Sequence, residues 1–147
     1  MKMRTWQAAI IAGVFGTFSV YAADNTSVKL DDVLTHFTNQ GFKVEGITRI
    51  SDEMVPKDGF DTVEMVKVDW QDPKTMEVQY SFRLWRQKTI EQAQRRLKMG
   101  KAFKWEMIAA GTIVLEWMEG TASNKERIYK LFEDFRTKNK LAAMTDK

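Results

Sequence analysis

The chain contains no cysteine, one histidine and only two prolines in 147 residues. The absence of cysteine removes disulfides, thiolate nucleophiles and thiolate metal sites from consideration. With His36 alone, no multi-histidine zinc site can form, and a Ser-His-Asp arrangement would need a serine presented at a tight elbow. No G-x-S-x-G occurs, nor a P-loop, nor the glycine pattern of a dinucleotide-binding turn. His36 itself falls about 110° from the centre of its helix's apolar stripe, which predicts a solvated surface histidine. The sequence also lacks internal repeats, low-complexity tracts and, beyond its opening segment, any run approaching twenty apolar residues. No later membrane span is expected.

The opening segment, MKMRTWQAAIIAGVFGTFSVYA, has the three-part layout of a secretory signal peptide. Lys2 and Arg4 give a positive start, Ala8 to Val20 an apolar run, and Val20-Tyr21-Ala22 a site that a signal peptidase tolerates. A helix over that run is only about 20 Å long, against a hydrocarbon core of about 30 Å. Residues 1–22 are therefore expected to be a cleavable signal, with an uncleaved anchor in the inner membrane as the alternative. Periplasmic or secreted localisation follows from that expectation. Removal leaves one domain, residues 23–138, followed by a flexible tail over 139–147.

The formal charge of +3 needs correcting for the loss of Lys2 and Arg4, since 21 basic residues then face 20 acidic ones. The charge is segregated along the chain instead. Residues 31–77 carry five basic and eleven acidic side chains, whereas residues 83–104 carry eight basic and one acidic. Such asymmetry suggests a binding face or an internally balanced pair of faces. Of the chain's five tryptophans and nine phenylalanines, four and seven lie beyond residue 22 and supply a core that needs no cross-links.

Periodicity predicts three helices and five strands. Leu30, Val33, Leu34 and Phe37 share one helical face, with Ser27 as a cap and Gly41 as a stop. Ile90, Ala93 and Leu97 mark a second helix, capped by Thr89 with Gln92 and ended by Gly100. Ile128, Leu131, Phe132 and Phe135 mark a third, with Ser123 and Glu126 as its capping box. FKVEGITRI begins with period two and bends at Gly46. TVEMVKVDW and TMEVQYSFRLW alternate around the turn QDPK, the latter with Met76, Val78, Tyr80, Phe82 and Leu84 on one side. FKWEMIAAGTIVLEW reads as two strands joined near Ala110 and Gly111. The expected fold is α+β, an antiparallel sheet of about five strands with helices mainly on one face, in the order α-β-β-β-α-β-β-α.

Candidate chemistry is sparse. Carboxylates gather in Asp52, Glu53, Asp58, Asp61 and Glu64, and a hydrolase would need one of them kept protonated by burial. A solvated acidic loop explains them more simply, and their spacing does not match the EF-hand loop. Methionines such as Met65, Met76 and Met107 occupy expected core positions rather than a copper motif. The basic segment offers more: Arg83, Trp85, Arg86, Lys88, Arg95, Arg96, Lys98, Lys101 and Lys104, with Phe103 interleaved. Guanidinium groups beside exposed aromatics suit an anionic, partly apolar ligand. Cations in a helix's last turn also offset its dipole, which is the structural account of Arg95, Arg96 and Lys98.

These readings converge on an exported, non-enzymatic accessory or binding protein of the bacterial envelope. It would engage a protein or an anionic envelope component through the basic segment, with no cofactor, no metal and no nucleic acid. A small carboxylate-based periplasmic hydrolase is the alternative. A third reading is a structural subunit whose exposed Trp85 and Trp117 are covered by a partner or a second copy.

Overall fold

A computed structural model describes residues 27–50, 54–55 and 59–144. The signal segment 1–22 lies outside these residues, as do Asp52, Glu53 and Asp58. The elements are α1 (Leu30–Asn39), β1 (Ile47–Ile50), β2 (Thr62–Gln71), β3 (Val78–Gln87), α2 (Ile90–Ala102), β4 (Glu106–Ala110), β5 (Ile113–Gly120) and α3 (Ala122–Lys138). All five strands form one antiparallel sheet in the spatial order β1-β2-β3-β5-β4. The class is α+β and the element order is the one that the alternating and helical patterns predict.

Two of the three helices share a face. Leu30, Val33, Leu34 and Phe37 of α1 and Ile128, Leu131, Phe132 and Phe135 of α3 are buried against Val66, Val68, Phe82, Leu84, Ile113 and Leu115. Burying each such side chain contributes about 1.5–3 kcal/mol, so this layer dominates stability in a chain without disulfides. The third helix lies on the opposite face. Leaving β3, α2 crosses that face to the far edge, where the hairpin β4–β5 brings the chain back beside β3. There Ala93 of α2 joins Met65, Trp85, Ala109 and Val114 in a second, smaller core, with Leu97, Met107 and Met144 at its margin.

Helix ends differ from the expected ones. The N-cap of α1 is Lys29, whose backbone N–H donates to the Asp32 carboxylate at 2.7 Å. Thr121 caps α3, two residues before the expected Ser123, and accepts from the Asn124 backbone N–H at 3.3 Å. Thr89 caps α2 as expected, accepting from Gln92 N–H at 3.2 Å. Gly100 does not end α2. It is buried inside the helix, and a β-carbon there would meet the Met107 sulfur at 2.4 Å. Its lack of a side chain lets α2 lie close on β4. Met76, expected in the core, has φ +60 in the β2–β3 turn and is exposed.

His36 also departs from its expected place on the surface, being only 8% exposed. Because α3 packs alongside α1, the polar flank of α1 is covered, and the imidazole meets the Phe135 ring edge-on at 5.6 Å. Its Nε2 is buried without a hydrogen-bond partner among the described residues. An unsatisfied buried polar atom costs about 1–3 kcal/mol, which an apolar side chain of similar size avoids. His36→Leu is therefore expected to raise stability by about 1 kcal/mol in urea denaturation. A loss of more than that amount would show that the imidazole is satisfied in solution.

Residues 139–144, expected to fray, are tied to the body of the fold. Leu141 is 3% exposed, Gly111 N–H donates to Ala142 O at 3.1 Å, and Ala143 bridges Ala110 in antiparallel sense.

Candidate binding surface at the end of helix α2

The nine residues of the basic segment fall into three separate settings. Arg83 and Trp85 alternate with Phe82 and Leu84, so they point to the face that α2 crosses. Trp85 is only 6% exposed, and the expected exposed tryptophan at 117 is likewise buried, in the larger core. Arg86 belongs to the other face, where its Nε donates to Glu64 at 2.9 Å. Lys88, Arg95, Lys98, Lys101 and Lys104 are exposed around α2, while Arg96 between them is 3% exposed.

The buried members form a polar cluster inside the second core. The Trp85 indole N–H donates to Glu116 at 3.0 Å, and Arg83 stands 3.6 Å from the same carboxylate. The Arg96 guanidinium lies 4.1 Å from the Trp85 ring centroid and 4.9 Å from that of Phe60. One of its nitrogens donates to the Thr62 hydroxyl at 3.0 Å. With the Gln87 amide turned so that its nitrogen faces the Phe60 carbonyl, the Gln87 oxygen accepts from Arg96 Nε at 2.9 Å. This arrangement satisfies buried polar groups and fills the space under α2. It offers no surface to a ligand, so Trp85 and Arg96 are part of the interior.

What remains exposed converges at the carboxyl end of α2. Phe103 and Trp105 are 64% and 46% exposed, and their rings stack with centroids 5.4 Å apart. Lys104 stands between the two in the chain, Lys101 lines a groove with Trp105, and Lys98 is exposed one helical turn before Lys101. Neither Lys98 nor Lys104 has an ion-pair partner among the described residues. The corner is shaped by two backbone bonds, Lys104 N–H to Lys101 O at 3.1 Å and Trp105 N–H to Gly100 O at 2.8 Å. That pair of bonds is a Schellman ending, with Lys104 in the left-handed position at φ +59. Glycine normally takes that position, and a residue with a β-carbon costs about 1–2 kcal/mol there. The sequence thus carries a lysine at a place where local backbone energetics favour another residue.

Beside the corner a groove of about 320 Å³ is lined by Leu97, Lys101, Trp105, Glu106, Met107, Lys125 and Tyr129. Lys125 Nζ pairs with Glu106 at 2.6 Å across it. Burial, with a smaller contribution from Glu106, pushes the Tyr129 phenol up to about 12, so it stays a neutral hydrogen-bond donor. No hydrogen bond to that hydroxyl is present among the described residues.

The acidic residues near the β1–β2 connection are largely occupied where described. Glu64 pairs with Arg86 and accepts from Leu30 N–H at 3.4 Å, and Asp61 accepts from Gln92 at 3.4 Å. Among the described residues no group of three or more His, Asp or Glu side chains could hold a metal ion. No helix among them is long and apolar enough to cross a membrane.

Trp105, Lys125 and Tyr129 were not legible as site residues. Trp105 lies one residue past the charge-defined segment 83–104, and α3 reaches the corner only through the fold. An aromatic pair spaced i, i+2 at the end of the α2 pattern was the signal available for Trp105. Comparison with protein-family models, with curated proteins and with solved structures finds no match to the chain.

Proposed function

We propose that this chain is an exported, non-enzymatic binding protein of the bacterial envelope that engages an anionic partner through the α2–β4 corner. The observation that carries the reading is the exposed, stacked Phe103–Trp105 pair, with the exposed Lys104 between the two in the chain, Lys101 lining the same groove as Trp105, and Lys98 exposed earlier on α2. Stacked aromatics left in water lose apolar hydration free energy that a partner surface recovers. Lysines close by supply long-range attraction to negative charge and raise the association rate. The left-handed Lys104 adds weight, since the fold tolerates local strain to keep a cation at this tip. Export rests on the positive start and short apolar run of residues 1–22, and mass spectrometry of native material should find Ala23 as the first residue.

The surface is tested by reversing charge where it is exposed. Arg86 and Arg96 are unsuitable because both hold the fold together. The triple variant Lys98→Glu, Lys101→Glu, Lys104→Glu should retain its thermal midpoint within a few degrees, since exposed substitutions stay within about 0.5 kcal/mol each. Its retention on native envelope fractions at 50 mM salt should fall at least tenfold, and wild-type retention should fall similarly at 500 mM. Retention that is indifferent both to the triple variant and to salt would sink the reading.

A further inference from the structure

A separate cavity of about 240 Å³ lies where the end of β2, the start of β3, the stretch 42–45 and the first turns of α3 meet. It shares no lining residue with the groove at the α2–β4 corner. Trp70 and Tyr80 are cross-strand partners on β2 and β3, with ring centroids 5.9 Å apart. Phe42 extends this aromatic layer, 5.1 Å from the Tyr80 ring. Phe42 and Tyr80 are buried, whereas Trp70 is only partly so, which leaves the indole as the ring a ligand can reach. The Tyr80 hydroxyl is spent on the backbone of Lys43 and Glu45, and this fixes the stretch 42–45 as one wall. Gly120 sets another. A β-carbon there would lie 2.5 Å from Gln79 O, so only glycine lets β5 end this close to β3. The first turn of α3 is thereby brought to the cavity, where Asn124 Nδ2 donates to Gln79 O at 2.9 Å.

We infer that this cavity binds one uncharged pyranose ring of a glycan, with the C–H face of the sugar on Trp70. The site is distinct from the α2–β4 corner and does not depend on it. Charge is the first selector. The Lys43 ammonium is matched by the Glu45 carboxylate, and the Arg127 guanidinium is held on Gly41 O at 2.9 Å and over the Phe42 ring at 5.2 Å. What the cavity retains are uncharged groups: the Trp70 indole N–H as a donor, with Gln79 Oε1 and Asn124 Oδ1 as acceptors. None of these three atoms has a hydrogen-bond partner among the described residues. A purely aliphatic ligand would cover them without replacing their water, which is costly. A sugar ring carries hydroxyls that each donate and accept, set around a face of C–H groups, and so meets the acceptors, the donor and the indole together. Size is the second selector, since the volume falls below the roughly 300–1,000 Å³ of sites for larger ligands and suits a single ring.

The test titrates methyl β-D-glucopyranoside and methyl N-acetyl-β-D-glucosaminide into the isotopically labelled chain, with glucuronate as a charged arm. Binding in the cavity predicts that at least one uncharged probe shifts the Trp70 indole N–H resonance, with a dissociation constant of about 1–10 mM. That constant should be the same at 50 and 500 mM salt, because no ion pair is made. Trp70→Phe should weaken binding at least fivefold, since it removes the donor and shrinks the platform. Gln79→Ala should weaken it at least threefold, and this variant spares the fold because the side chain makes only a 3.4 Å bond, to Glu77. The triple lysine variant of the corner should bind the sugars as wild type does, so the two sites stand or fall separately. No shift at Trp70 up to about 100 mM of either uncharged probe overturns the inference. Unchanged affinity in Gln79→Ala also overturns it. Glucuronate binding more tightly than both uncharged probes would show that the Arg127 charge is available, and the selection of a neutral ring would then be wrong.

Discussion

Arg96→Ala is expected to lower the thermal midpoint by roughly 10–20 °C, the equivalent of about 3–5 kcal/mol in a domain of this size. Truncation removes the donors that reach Thr62, which is half-buried, and the Gln87 oxygen, which is buried beside the second core. A buried polar group left without its partner costs about 1–3 kcal/mol. The guanidinium's contact with the Trp85 ring at 4.1 Å is desolvated, a setting in which such contacts are worth about 2 kcal/mol. The aliphatic stem of Arg96 also fills volume under α2 that alanine would leave empty. These contributions overlap, so their combined effect is smaller than their sum. Arg95, one residue away, lies over the outer side of Phe60 at 5.5 Å and is exposed. Arg95→Ala should shift the midpoint by no more than about 2 °C, which corresponds to roughly 0.5 kcal/mol. Arg96→Lys should fall between the two, because an ammonium cannot reproduce a flat fork lying on an aromatic face. Equal, small effects at 95 and 96 would place Arg96 back on the surface.

The contrast between these neighbours marks the limit of a linear reading. Strand alternation was legible: it set Tyr80, Phe82 and Leu84 against Arg83 and Trp85, and the sheet keeps that division. Helical spacing was equally legible in α1 and α3, where every residue of the two apolar stripes is buried. What local pattern could not supply was the identity of the element lying on the other sheet face. The buried positions of α2 are Ala93, Arg96 and Gly100, spaced three and four apart. Two of these are small, which lets the helix approach closely, and the arginine between them is thereby carried inward. Glycine commonly ends helices, whereas here Gly100 serves the contact with Met107 on β4, seven residues later. His36 departs from its expected place for the same reason, its flank being covered by Phe135 of α3, 99 residues further along. The corner residues Phe103 and Lys104 were legible as basic and aromatic, but their separation from Trp85 and Arg96 depends on tertiary packing alone.

Gly46→Ala should be the most damaging substitution in the first half of the fold, at about 2–4 kcal/mol. Gly46 has φ +67, where a residue with a β-carbon is strained by about 1–2 kcal/mol. Space is the larger obstacle. A β-carbon built there lies 1.6 Å from the Asp69 carbonyl oxygen and 2.7 Å from its carbon, both backbone atoms of β2. The chain must therefore withdraw, breaking the bond from Asp69 N–H to Gly46 O at 3.1 Å. Gly46 is the hinge between two anchored stretches. Before it, the Tyr80 hydroxyl donates to Lys43 O at 2.8 Å and accepts from Glu45 N–H at 3.0 Å. After it, β1 has only four residues on β2, and Arg49 reaches back to Asp31 of α1 at 2.5 Å. An edge strand this short has little else to hold its register. Gly41→Ala is the matched control, with φ +77 and no atom within 4 Å of the added carbon, so it reports the backbone strain alone. Gly46→Ala should exceed it by about 1–2 kcal/mol in urea denaturation, the excess measuring the collision with β2. Hydrogen exchange should localise the damage, with the Asp69 amide and the amides of Ile47 to Ile50 losing protection first while those of β3 and β5 keep theirs. Equal effects at 41 and 46 would mean that β1 yields without cost, and that the sheet proper begins at β2.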